Sequence, residues 1–158
     1  MARIFDTFLG SVMERGADEA RRAGSATIEA EHLLLAIAAE QEDGTRELLD
    51  SVGLDHAALR DALEEEFRQG LAAAGVSFAG GDLPGPVGGR RPSKVGESAK
   101  RALERGVGPV GRGARRPAHL LLGILSLKAG TVPRALALAG VDRADLARRT
   151  QESLPDGE

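Results

Sequence analysis

Apolar side chains return every three or four positions along most of the chain, the period of a helix with one buried face. Phe5 and Phe8 lie at i, i+3, Leu33, Leu34 and Ile37 form a tight stripe, and Leu120, Leu121 and Ile124 form another. Between them Ala, Leu, Glu and Arg dominate, residues that give up little on entering a helix. No segment alternates β-branched and polar residues as a strand would. The pattern predicts an all-α fold, interrupted once. Residues 80–89, Gly-Gly-Asp-Leu-Pro-Gly-Pro-Val-Gly-Gly, hold five glycines and two prolines and support neither helix nor strand. With Arg90-Arg91-Pro92 following, residues 79–92 read as a linker, expected to exchange amide hydrogens quickly and to be cut first by proteases.

The two stripes belong to a repeat. Glu31-His32-Leu33-Leu34-Leu35-Ala36-Ile37 is echoed 87 residues later by Ala118-His119-Leu120-Leu121-Leu122-Gly123-Ile124. The same offset pairs Leu49 with Leu136, Gly53 with Gly140, Asp55 with Asp142 and Leu59 with Leu146. Upstream, Glu14-Arg15-Gly16 matches Glu104-Arg105-Gly106 at an offset of 90, so the second copy has lost three residues between these blocks. The chain reads as one domain, 1–158, with repeat one over 3–70 and repeat two over 93–153. Helices are expected near 3–23, 30–41, 45–52 and 55–70, then near 94–107, 117–128, 132–139 and 142–153. Gly53 and Gly140 stand where left-handed C-caps are wanted, Asp55 and Asp142 where the next helices need N-caps, and Pro117 suits a first helical turn. In repeat two, Gly106 to Gly113, with Pro109 among them, should end the first helix early. An irregular loop is expected there, leaving the surface beside Ala118 more open than that beside Glu31.

Charge separates the copies. Residues 1–79 hold 7 Lys and Arg against 16 Asp and Glu, whereas residues 80–158 hold 14 against 8. An acidic and a basic half share a chain of net charge −3, through partner selection by charge or through two solvated faces that diverged. The absence of cysteine excludes disulfides, thiolate metal sites and a cysteine nucleophile. Aromatics are only 3%, too few for base-stacking platforms. The longest apolar run, Leu33 to Ala39, is far too short to span a membrane, and the start Met1 to Asp6 has no leader-like apolar stretch, so a cytoplasmic location is expected.

A Phe-led helix closing on Glu19-Ala20-Arg21-Arg22-Ala23-Gly24, then Glu31-His32-Leu33-Leu34-Leu35, then Leu48-Leu49 and Gly53-Leu54-Asp55, resembles the N-terminal repeat domain of the Clp unfoldases. Ser98-Ala99-Lys100-Arg101-Ala102-Leu103-Glu104 and His119 to Leu125 resemble its second repeat. The resemblance runs over about residues 5–153. It implies a non-catalytic, pseudo-twofold protein- and peptide-binding domain acting in Clp proteolysis as a substrate or adaptor receptor, a decoy or a sequestering protein. Its implied partners are a Clp unfoldase, adaptors, phosphoarginine-marked proteins or cyclic-peptide antibiotics. No phosphate loop of the Gly-x-x-x-x-Gly-Lys-Ser/Thr kind occurs, so nucleotide hydrolysis is not expected, and a free-standing monomer without cofactor is.

By the resemblance, Glu31 matches the acid that holds the guanidinium of phosphoarginine, a planar group met well by two carboxylate oxygens. Glu31 could equally complement the positive end of its own helix. Ala118 stands where a second acid would be, with Arg112, Arg115 and Arg116 nearby, a set that favours an anion over a guanidinium. One weakened site in repeat one is therefore expected. The resemblance also implies a groove flanked by the Phe5 region and by the start of repeat two around Val95 and Lys100; Phe5 lines it or packs in the core, and Phe8 is read as core. His32 and His119 could bind a metal, but no partner ligands complete a set, and bonding backbone at a helix start is the simpler task. His56 is expected to be exposed, and Glu64-Glu65-Glu66 a solvated face. The alternative function is an anion- or nucleic-acid-binding regulator using Arg90, Arg91, Arg112, Arg115 and Arg116, against which stand a pI of about 5.7 and the lack of a basic helical stripe.

Overall fold

The computed structural model describes residues 2–40, 44–75 and 90–155, and among them all regular structure is helical. Repeat one gives α1 (Ala2–Arg22), α2 (Ala30–Ala39), α3 (Gly44–Ser51) and α4 (His56–Ala73). Repeat two gives α5 (Glu97–Gly106), α6 (Pro117–Leu125), α7 (Thr131–Leu138) and α8 (Arg143–Glu152), with a short 3-10 turn, Arg112–Ala114, between α5 and α6. Most of the stretch read as a linker lies outside the described residues.

The helix ends form as their residues dictate. After α3 the chain turns through Gly53 at φ +79°, and Leu54 N–H reaches back to the Leu49 carbonyl at 2.8 Å. After α7 it turns through Gly140 at φ +75°, and Val141 N–H reaches the Leu136 carbonyl at 2.9 Å. These are the same glycine-ended caps, 87 residues apart. Asp55 then accepts from Ala58 N–H at 2.8 Å and Asp142 from Asp145 N–H at 3.1 Å, which starts α4 and α8.

Packing follows the duplication. Within each copy the first two helices lie against each other, α1 on α2 and α5 on α6. Between copies the contacts cross over: α4 packs on α7, and in the related place α8 packs on α3. Leu33, Leu34 and Ile37 of α2 and Leu120, Leu121 and Ile124 of α6 are fully buried in one apolar cluster to which both copies contribute. The two stripes are thus the two halves of one core.

Two expectations about repeat two change. The helix expected from 94 begins at Glu97, because residues 94–96 run extended and pair with repeat one. Ile28 N–H donates to the Lys94 carbonyl at 2.8 Å and Gly96 N–H to the Ile28 carbonyl at 2.9 Å. The helix does stop early, at Gly106, followed by a turn and the 3-10 segment. That loop, however, packs on α1 and opens nothing beside Ala118, which is 8% exposed. Nor does Gly106 act chiefly by loosening the helix. A Cβ there would overlap the His119 carbonyl, and one at Gly123 would overlap the Ala102 carbonyl, so the two glycines let the backbones of α5 and α6 touch.

Candidate functional site

The N-terminus of α2 lies where the copies meet, and two acids two residues apart do different things there. Glu29 precedes the helix and turns toward repeat two. Its carboxylate accepts from the Thr27 hydroxyl, from Ser98 Oγ at 2.7 Å and from Ser98 N–H at 3.2 Å, so it caps α5 across the copy boundary. Ser98 Oγ in return accepts from Ala30 N–H, the first donor of α2, at 2.8 Å. Each copy thus caps a helix of the other. Gly96 makes this possible, since a Cβ there would overlap the Glu29 carboxylate. Burial opposes the charge on Glu29, but the hydrogen bonds from Thr27 and Ser98 hold its carboxyl below the usual range.

Glu31, in the first turn of α2, has no such partners from repeat two among the described residues. Burial pushes its carboxyl above the usual range, and the neighbouring charges of Glu29 and Glu66 push the same way. Its own backbone N–H and Arg134 of α7 offset part of this. Glu66 comes from α4 and is held by Arg134 Nε at 3.2 Å. Three helices, α2, α4 and α7, therefore bring two carboxylates and a guanidinium together. Of the three acids read as a solvated face, Glu64 and Glu65 are exposed, but the Glu66 side chain is only 12% exposed and belongs to this cluster.

His32 and His119 take equivalent positions and bond backbone at the helix start. Glu29 N–H donates to His32 Nδ1 at 2.9 Å and Arg116 N–H to His119 Nδ1 at 3.0 Å. An accepting Nδ1 leaves the ring proton on Nε2. Burial lowers the pKa of both rings, which keeps them neutral and fit for that task. Among the described residues no group of three His, Asp or Glu is placed to hold a metal ion. His56 is not exposed as expected: it is half-buried, with Nε2 at 2.5 Å from Glu19, a buried acid that also takes Arg60 at 2.7 Å.

Of the residues read as groove, Phe5 does not qualify. It is 1% exposed and stacks tilted against Phe8, ring centroids 6.2 Å apart, inside the core. Phe8 is core as expected. Val95 is half-buried in the bridge to Ile28, and Lys100 is exposed on α5. The arginines of the alternative reading are scattered among local partners. Arg112 faces Asp6 at 3.7 Å, Arg115 donates to the Val110 carbonyl at 3.1 Å and Arg91 faces Asp18 at 3.4 Å. Arg116 is half-buried at the start of α6, and Arg90 is exposed. Glu66 and Arg134 escaped the sequence reading because nothing in a helical period says which face of α4 meets which face of α7. Glu29 could have been found: it sits three residues before a buried histidine, where a helix start is already marked.

Among the described residues no helix is long and apolar enough to cross a membrane. No curated protein matches the sequence. The family model of the Clp repeat (R) N-terminal domain, a non-catalytic module, matches residues 5–84, nearly all of repeat one and just over half of the chain. With eight α-helices among the described residues, arranged as two crossed copies, the chain belongs to the Clp repeat N-terminal domain family.

Proposed function

We propose that this domain is a protein- and peptide-recognition module of the Clp proteolysis system, acting in the cytoplasm as a monomer, and that it reads an arginine-type guanidinium at the α2 N-terminus. The observation that carries the reading is Glu31, an acid held half-buried at the boundary of the copies without a hydrogen-bonding partner from repeat two among the described residues. A carboxylate kept partly dry binds a planar cation more strongly than one in water. Copy two offers Ala118, buried and without charge, at the related position, so the reading has one site.

The ligands are proteins or peptides: phosphoarginine-marked substrates, adaptors, a Clp unfoldase or cyclic-peptide antibiotics. The phosphate of phosphoarginine finds few free donors at Glu31, because Ala30 N–H is taken by Ser98 and the Thr27 hydroxyl by Glu29. It is left to solvent, so affinity rests on the guanidinium. Calorimetry with a phosphoarginine peptide checks this. One site is expected, and Glu31→Gln should weaken it about ten- to a hundredfold, the usual effect of deleting one side of a charge-assisted bond. Two equivalent sites, or unchanged affinity in the variant, would refute the reading.

A further inference from the structure

We propose that Arg134 is a built-in competitor for this site, a guanidinium of repeat two seated against Glu66, beside the Glu31 carboxylate that would receive the ligand's. The inference rests on the reading of Glu31 above. Arg134 projects from α7, its Nε 3.2 Å from Glu66, and it lies near enough to Glu31 to act on that carboxyl. Glu66 is deeply set, whereas the Arg134 side chain is 62% exposed and anchored among the described residues through Nε. Such an arm swings away easily, because an exposed ion pair on a long side chain is weak. The acids it neutralises are the ones least able to stay bare: with Arg134 gone, Glu31 and Glu66 would face each other's charge with no cation between them. The chain thus carries on α7 the chemical group its α2–α4 surface is suited to hold, and a ligand must displace it.

Binding of free phosphoarginine, measured by calorimetry on the whole chain, tests this with wild type, Arg134→Gln and Glu31→Gln. Arg134→Gln should bind about two- to fivefold more tightly, the range expected for releasing one exposed ion pair. Glu31→Gln should lose binding. Equal affinity in wild type and Arg134→Gln, with loss in Glu31→Gln, would overturn the competitor role and leave the reading of Glu31 standing. Weaker binding in Arg134→Gln would overturn it too, by showing that Arg134 assists the ligand. No binding in any of the three would remove both.

Discussion

Glu29 and Glu31 show how strongly a step of two residues can divide one residue type. Glu29 is surrounded by donors and its carboxyl is held low, so ionised Glu29 stabilises the fold. That contribution is present above the ordinary value of 4.5 and is lost as pH falls through the lower, folded value. Glu31 is the reverse: its charge is disfavoured by folding, so the stability it costs at neutral pH returns as pH falls through its raised folded value. Opposite responses to neutralisation follow. Glu29→Gln should lower the thermal midpoint at pH 7, whereas Glu31→Gln should raise it while removing the proposed ligand site. A midpoint that falls in both variants would mean Glu31 is held by bonds like those of Glu29. His32 and His119 add a further acid-sensitive contribution. Their folded pKa values lie below 6.5, so the stability they give is full above 6.5 and declines as pH falls below it.

At the scale of elements, the contact of α5 with α6 is set by glycine and that of α1 with α2 is not. Gly106 and its counterpart Gly16 are both buried. Yet a Cβ at Gly16 would meet the flexible end of Leu33 at 3.1 Å, whereas at Gly106 it would strike backbone. In a free helix, alanine would be favoured over glycine by about 1 kcal/mol. Gly106→Ala should nevertheless destabilise by roughly 1–3 kcal/mol, as overpacking does, and Gly16→Ala by much less. Chemical denaturation of the two variants measures the difference directly. Helix existence was legible because the caps are local: Gly53, Asp55, Gly140 and Asp142 announce their turns within a few residues. The start of α5 was not, since residues 94–96 are drawn into an extended bridge by Ile28, far away in sequence. The sequence leaves the burial of Phe5 open for the same reason, since an aromatic at i, i+3 looks alike whether its stripe faces a core or a groove.

Over the whole molecule, the crossed packing of α4 on α7 and α8 on α3 means that neither copy completes its own interior. The chain should therefore unfold in a single calorimetric transition, and two separated transitions would contradict the shared core. The duplication also explains what the sequence could tell about function. An internal repeat lets each position be compared with its twin, and that comparison singles out Glu31 against Ala118. It says nothing of what repeat two lays over repeat one, which is why Arg134 and Glu66 emerge only from the fold. In the proposed function one face of repeat one, the α2 N-terminus, takes the ligand. Nitrogen-15 NMR of the chain titrated with a phosphoarginine peptide tests it most directly. The shifts should gather at residues 27–32 and extend to Glu66 and Arg134; a response centred on residues 112–119 at the start of α6 would contradict it.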